Sequence, residues 1–430
     1  MSMGVSGCPG VPASLGSESS ENQFFLLLVI GMDGVIGLNA SLYVLRLFGC
    51  RKALEKGGRV ADWDFQNIVS HFRAWGDFVE AQPHGSGHIH DTFKVTFNMA
   101  GTPVHYLLQR INHHIFKSPA AIMDNILRVT DHVRARLKAD GYPDVTRHSL
   151  CIVFSRNRKP CYQDPAGNWW RMYLFVEGAV TYDSVDSLDH AYEAAKAYAR
   201  FQALVSDLPE PRLHETIPNF HNTPARLTAL REAVERDPCN RAASVRREIE
   251  FVESRADQCG RLMARQRAGD LPERVTHNDT KINNVMLDEK TGKGVCVIDL
   301  DTVMPGLALY DFGDMVRSCT AAAAEDERDL SKVHMRIDVF EAVARGYLSE
   351  ARFLTRAERE ELVFSGRLIT LMLGMRFLTD HLSGDTYFKV KRENHNLDRC
   401  RAQFAMVESM EAQSDRMEKI VADCWTHADP

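Results

Sequence analysis

Residues 277–301 constrain this chain more tightly than any other stretch. It opens on His277-Asn278-Asp279, places Asn284 shortly after the aspartate, and continues as two short apolar runs separated by a polar loop. Val285-Met286-Leu287 and Val295 to Ile298 have the composition and length of strands, and Asp288–Gly294 between them carries glycines. That pattern predicts a hairpin. With its turn centred at Thr291-Gly292, Asn284 stands opposite Asp299 at the far end, where cross-strand neighbours lie ~5 Å apart. Asp279 falls in the loop just before. An aspartate, an amide and a second aspartate therefore converge on one point.

Such a set suits phosphoryl transfer. An aspartate orients the attacking hydroxyl and accepts its proton, while an Asn and an Asp hold Mg²⁺ against nucleotide phosphates. H-x-D-x-x-x-x-N followed by a strand ending in Asp is the catalytic-loop pattern of the kinase superfamily. Asp311-Phe312-Gly313 spells the metal-binding tripeptide of protein kinases, yet it lies outside the hairpin, beyond Pro305-Gly306. Asp299 is therefore the expected metal position, and Asp311 and Asp314 are expected to buttress the loop by accepting backbone hydrogen bonds.

The chain has 430 residues, 44% of them hydrophobic, enough for a large core. A net charge of −6, from 58 acidic and 52 basic residues, argues against a nucleic-acid footprint. The 10 cysteines form no Cys-x-x-Cys and no clustered framework, which fits thiols in a reducing, cytoplasmic setting.

Residues 1–22 are rich in Gly, Ser and Pro, and an apolar stretch follows over 24–49. Glu18 and Glu21 precede it and no Lys or Arg does, which excludes a signal peptide's basic start. As a membrane span it would carry Asp33 at a cost of ~2.5–3.5 kcal/mol. Residues 1–62 are thus expected to be a disordered or non-essential extension rather than a membrane anchor. From Trp63 the pattern is globular: a short helix over Phe65–Phe72, then a strand, a loop with Gly85 and Gly87, and a strand over Ile89–Phe97. Such a glycine loop lets backbone N–H groups approach phosphates. His84, His88 and His90 around it lack the further spaced ligands of a metal site.

Val104–Ile111 reads as the next strand. In most kinases this strand holds a lysine that pairs the nucleotide phosphates and a helix glutamate. Here the candidates are Gln109 and Arg110, and the following helix, Pro119–Leu137, has no glutamate. The two absences belong together, because a buried Glu without its cation would be unpaired. Cys151–Ser155 and Trp170–Val176 read as strands, and the latter leads into Glu177-Gly178, the place of an inter-lobe hinge that could read an adenine. Helices are then expected over Leu188–Val205, Arg241–Gly269, Asp338–Leu348, Arg356–Leu382 and Leu397–Trp425.

Thr276–Asn284 with Val297-Ile298-Asp299-Leu300-Asp301 resembles the aminoglycoside-phosphotransferase/choline-kinase superfamily. More narrowly, the chain is similar to N-acetylhexosamine 1-kinases, which phosphorylate the anomeric hydroxyl of GlcNAc and GalNAc. The narrower likeness rests on Gly85-Ser86-Gly87-His88-Ile89, Tyr106–Gln109, Asp299–Gly306, Tyr310–Asp314, Glu325–Leu330, Gly374–Leu378 and His395-Asn396-Leu397, and it covers residues 63–425. The departure from the lysine pattern is shared with those sugar kinases.

The resemblance implies an α+β, bilobal, protein-kinase-like fold, with an antiparallel-sheet N-lobe over 63–178 and a mostly helical C-lobe over 179–430. It implies Asp279 as base, Asn284 and Asp299 as Mg²⁺ ligands, ATP as donor, and sugar contacts from His88, Arg376 and Tyr387. Gly85, Gly87, Gln109, Arg110 and Glu177 are the expected nucleotide contacts, and His277, Asp301 and Asp311 the supporting residues. Alternatives are a kinase of another small hydroxyl substrate (an aminoglycoside, choline or homoserine) and a nucleotide-binding pseudokinase scaffold. A chain beginning at Ala61 is expected to be soluble and to consume ATP as the full chain does. Loss of folding on that truncation, or membrane retention of the full chain on fractionation, would contradict this reading of residues 1–62.

Overall fold

The computed structural model describes residues 63–85 and 89–426, so the N-terminal extension lies outside the described residues, as do Gly87 and His88. The order begins with helix α1 (Phe65–Ser70) and strands β1 (Asp77–Pro83), β2 (Asp91–Met99) and β3 (Thr102–Ile111). Helix α2 (Pro119–Ala139), β4 (Tyr162–Gln163) and β5 (Trp169–Leu174) complete an antiparallel sheet in the order β1-β2-β3-β5-β4. Its two faces follow from strand alternation. On one, Phe93, Val95, Tyr106, Leu108, Trp170 and Met172 are buried, and Phe65 of α1 meets Phe93 edge-on with ring centroids 4.7 Å apart. On the other, Thr92, Gln109 and Arg171 stand in register across three strands. That inner face packs on α2, which starts at Ser118 as N-cap with Pro119 in its first turn and buries Ile122, Met123, Ile126 and Val129.

The rest is mostly helical. After β6 (Ala179–Val180) come α3 (Leu188–Val205), α4 (Thr223–Arg236), α5 (Arg246–Glu253) and α6 (Arg261–Arg267). The strands β7 (Arg274–Thr276), β8 (Val285–Asp288), β9 (Gly294–Val297) and β10 (Met304–Gly306) form two small sheets, β6-β8-β9 and β10-β7. Then follow α7 (Ala308–Cys319), α8 (Ile337–Glu350), α9 (Arg356–Glu360), α10 (Leu362–Leu382), α11 (His395–Ala412) and α12 (Ser414–Thr426). Among the described residues α10 is long and apolar enough to cross a membrane, but 78% of its apolar window is buried against neighbours, as in a core helix. All eight described cysteines are free thiols.

Three expected helices are divided, each where a side chain finds a tertiary partner. Arg241–Gly269 breaks after Glu253: the Ser254 hydroxyl donates to Phe251 O, while Arg255 pairs with Glu411 at 2.7 Å. Arg356–Leu382 breaks at Glu361, whose buried carboxylate takes Arg261 and Arg265. Leu397–Trp425 breaks at Gln413, whose amide donates to Ser409 O and Met335 O. The strand expected over Cys151–Ser155 is reduced to isolated bridges, Ile152 to Tyr173 and Ser155 to Phe72.

The hairpin forms, with a register that differs from expectation. Val285 pairs Val297 and Met286 pairs Cys296, so Asn284 opposes Ile298, whose N–H donates to Asn284 O at 2.9 Å, and Asp299 lies one residue beyond. A bulge between Met286 and Leu287 absorbs the difference.

Gly313 shows how closely α7 and α10 approach. A Cβ there would lie 2.6 Å from Ser365 O. Gly313→Ala would gain ~1 kcal/mol of helix propensity, but forcing the two backbones apart costs ~1–3 kcal/mol. Net destabilisation is expected in chemical denaturation, and an unchanged midpoint would show that the helices separate freely.

Candidate active site

The loop between β7 and β8 is held from below by α7. Asp311 and Asp314 lie in register on one face of that helix, three residues apart. Asp311 accepts the backbone N–H groups of His277 at 2.8 Å and Asn278 at 2.6 Å, plus the Gln202 amide at 2.6 Å. Asp314 accepts the Thr280 N–H at 2.9 Å and pairs with Arg317. The D-F-G tripeptide is thus helical and buried, and its aspartate faces the loop backbone.

Asn278 has φ 68°, a left-handed conformation that Asn tolerates, and its amide bonds Thr302 O at 2.9 Å. His277 sits with Nε2 2.9 Å from Ile298 O and Nδ1 accepting the Asp279 N–H at 3.3 Å. A carbonyl only accepts and a backbone N–H only donates, so the proton is on Nε2. This side chain ties the loop to the hairpin and is fully occupied in doing so.

Asp279 emerges from this clamp. Its Oδ2 accepts the Asn284 amide at 3.1 Å, and its Oδ1 lies 3.1 Å from Lys281 Nζ. Asp279 and then Asp314 raise the Lys281 pKa, keeping it a cation. Asp299 follows β9 with φ 59° and opens to solvent. Withdrawal from water on its protein side, then the charges of Asp301 and Asp279, push its carboxyl up to about 7. Because solvent reaches this residue, the two neighbouring charges are the firmer cause. An electronegative point of this kind, with an amide and a carboxylate beside Asp279, fits a divalent cation. His90, Asp299 and Asp301 also offer ligand atoms within 4.8 Å of one another. Asp301 and His90 are already committed, however: Asp301 is buried and paired with Arg171 and His90.

The sheet places the remaining residues. Gln109 and Arg110 point to opposite faces. Gln109 joins Arg171 and Thr92 on the inner face, while Arg110 pairs with Asp91 at 2.7 Å and with Asn168 on the other. Gly85 has φ 79°, a conformation that favours glycine. Glu177 has an exposed side chain bonded to His105, and its carbonyl accepts from Arg147 at 3.3 Å. Lys94, on the inner face of β2, stands 4.4 Å over the Phe175 ring.

A second group lies beside Asp279. His221 Nε2 is 3.1 Å from Asn278 O. Burial pulls the pKa of this imidazole down to about 4, and its Nδ1 is buried with no partner. Arg376 bonds Tyr387 OH at 3.4 Å and lies 5.7 Å from the Phe220 ring centre. Asp380, four residues further along the same helix, accepts the N–H groups of Thr386, Tyr387 and Phe388. Arg226 has a buried Nε without a partner, and burial, then the charge of Arg376, lower its pKa.

Sequence reasoning missed Lys281, Arg171, His221 and Arg226. Lys281 was legible from its place two residues after Asp279. The other three meet the site only through the tertiary fold.

Asp311→Ala would remove the acceptor of two buried backbone donors, each worth ~1–3 kcal/mol. Burial pushes the Asp311 carboxyl up to about 6, against the pull of its N–H donors. A carboxyl raised above its unfolded value of ~4 contributes stability below that pH and loses it as pH rises through about 6. The stability gap between the native chain and Asp311→Ala should therefore narrow across that window and level off above it. Denaturant midpoints at successive pH values measure this, and a gap that widens would contradict it.

The description "phosphotransferase enzyme family" belongs to a family model that matches residues 80–354. Among solved structures, an aminoglycoside phosphotransferase from Alicyclobacillus acidocaldarius is 13% identical, with 86% of this chain and 98% of that chain covered and a TM-score of 0.54. An amicoumacin kinase in complex with AMP-PNP, Ca²⁺ and Ami is likewise 13% identical, with 80% and 93% covered and a TM-score of 0.50. At these identities the likeness is one of fold, and it is the protein-kinase-like fold: an antiparallel sheet followed by a helical half. With well over half of its length matched, this chain belongs to the phosphotransferase enzyme family.

Proposed function

We propose that the protein is an ATP-dependent kinase that phosphorylates the anomeric hydroxyl of an N-acetylhexosamine such as GlcNAc or GalNAc. The observation that carries the acceptor class is the pair of guanidinium groups, Arg376 and Arg226, close to His221 beside Asp279. Among the described residues the Arg376 guanidinium bonds the Tyr387 hydroxyl and no carboxylate, and Arg226 lies close enough for the two charges to repel. A protonated aminoglycoside, choline or another ammonium acceptor would bring a third positive charge there. A neutral sugar brings hydroxyl and acetamide oxygens, which are acceptors for guanidinium and imidazole donors. The half-buried ring of Phe220 and the exposed ring of Tyr387 suit the apolar face of a pyranose.

On this reading Asp279 holds the anomeric O–H and takes its proton as the phosphoryl group transfers. Lys281, paired with Asp279, offers positive charge to the transferring phosphate. Asn284 and Asp299 would hold Mg²⁺, which when bound neutralises charge on the ATP phosphates. Gly85 and the N–H groups of its loop, with Glu177 at the strand end, would line the nucleotide. His88 remains a proposed sugar contact, and the compartment proposed is the cytoplasm.

Asp279→Asn should lower turnover ~10²–10⁴-fold while ATP binding by calorimetry survives. Asp299→Ala should abolish turnover at any Mg²⁺ concentration without unfolding the chain. For the acceptor, Arg376→Ala should raise the KM for sugar ~10-fold or more, the worth of one charged hydrogen bond, and leave the KM for ATP within twofold or so. Phosphorus NMR should show a sugar 1-phosphate, and glucosamine, the cationic analogue of GlcNAc, should be a much poorer substrate. A 6-phosphate product, or a preference for glucosamine or choline, would sink the assignment.

A further inference from the structure

The lysine absent from β3 leaves a physical question, because something must couple the nucleotide-bearing sheet to the loop that carries Asp299. The inner face of the sheet holds a buried cation one strand further on. Arg171 of β5 sits directly across from Gln109 in the strand register, and its side chain is 2% exposed. Its Nη1 and Nη2 fork onto the two carboxylate oxygens of Asp301, with 2.7 Å at the second, and its Nε donates to Gln109 Oε1 at 2.9 Å. Gln109 in turn donates to Thr92 Oγ1 at 3.0 Å, so the guanidinium is braced by β2 and β3 as well as its own strand.

Asp301 is held from a second side. His90 lies just before β2, its Nδ1 accepts the Asn112 N–H at 3.0 Å, and its Nε2 therefore carries the proton it gives to Asp301 Oδ2 at 2.7 Å. Asp301 is two residues from Asp299, in the short turn Leu300–Thr302 that Asp299 enters in a left-handed conformation. Every side chain that holds the Asp301 carboxylate belongs to the sheet or its loops, while Asp301 itself belongs to the site and has its carbonyl held separately by the Thr216 hydroxyl at 2.8 Å.

We propose that Arg171 is a positioning residue: by clamping Asp301 it sets the place of Asp299, and so performs from β5 the lobe-coupling task that kinases assign to a β3 lysine and a helix glutamate. This deepens the proposed function, since it rests on Asp299 being a metal ligand. Arg171 touches neither substrate, because its guanidinium is closed off by Asp301 and Gln109. Asp301 is a carboxylate neutralised on site, which leaves Asp299 to meet the cation. A flexible lysine could pair one oxygen, whereas the planar fork fixes both, and with them the orientation of the turn.

The test uses the full chain and its Arg171→Lys and Gln109→Met variants. Arg171→Lys keeps the charge and loses the fork; Gln109→Met keeps the ion pair and removes the brace on Nε together with its link to Thr92. Mn²⁺ affinity in the presence of AMP-PNP is read by electron paramagnetic resonance, with thermal unfolding and steady-state kinetics alongside. Removal of a partner that orients a metal ligand lowers metal affinity ~10–100-fold. A loss of that size is expected for Arg171→Lys, with a parallel fall in kcat and an acceptor KM within about twofold of the native value, and a smaller loss in the same direction for Gln109→Met. If Arg171→Lys does not fold, Gln109→Met alone decides. Lowered thermal stability with native Mn²⁺ affinity in the folded variant would make the clamp merely structural and overturn the proposal. Absence of Mn²⁺ binding by the native chain with AMP-PNP would instead overturn the reading of the metal site, and this proposal with it.

Discussion

The Asp311 carboxylate and the backbone N–H groups of His277 and Asn278 are the interaction on which the site depends. A buried carboxylate costs several kcal/mol unless its lone pairs are filled. Here Gln202 fills what the backbone does not, and Tyr347 on α8 bonds Gln202 in turn. Asp314 repeats the arrangement one turn later with the Thr280 N–H. Three N–H groups around Asp279 are thereby bound to one helix, while the Asp279 N–H goes to His277. The loop has little freedom except in the Asp279 side chain. Because Gly313 lies between the two acids and allows α7 to touch α10, the precision of the loop is inherited from the packing of the helical core.

Four aspartates near the centre differ in what surrounds them, and that difference assigns them different work. Asp311 meets N–H donors and serves as an anchor. Asp301 meets a guanidinium and an imidazole, which hold its carboxyl far below the usual carboxylate range. Asp299 meets mainly other carboxylates, a situation that a divalent cation would relieve. Asp279 meets an amide and an ammonium in a position accessible from the cleft. Composition alone would make these four residues equivalent; the partner makes each distinct.

The legibility of the chain follows the range of the interactions. Asp279, Asn284 and Asp299 could be grouped from sequence because a loop and a hairpin bring them together within a short span, and local patterning specifies both. The offset in the hairpin escaped notice because a bulge between Met286 and Leu287 leaves no mark in the alternation of apolar residues. Helix ends at Glu361 and Gln413 were missed for another reason: each is set by a partner remote in the chain, Arg261 for the one and Met335 for the other. Arg171 is the extreme case. On a strand it reads as one polar residue in an apolar run, and only its approach to Asp301, 130 residues away, explains a buried cation. Periodicity reports which face a side chain takes, not what it meets there.

The absence of a β3 lysine shifts where positive charge is found. Arg171 is sealed and Gln109 is neutral, so on the proposed reading the inner face opposite the catalytic loop offers the phosphates no guanidinium or ammonium at the lysine's usual place. On that reading charge comes instead from Lys94 on the inner face of β2 and from the loop side of the site. Lys281 is suited to that task, because Asp279 holds its ammonium at 3.1 Å on the loop that, on the same reading, orients the acceptor. A cation anchored to the base moves with the base. On that reading the same few residues position both the hydroxyl and the phosphoryl group it attacks.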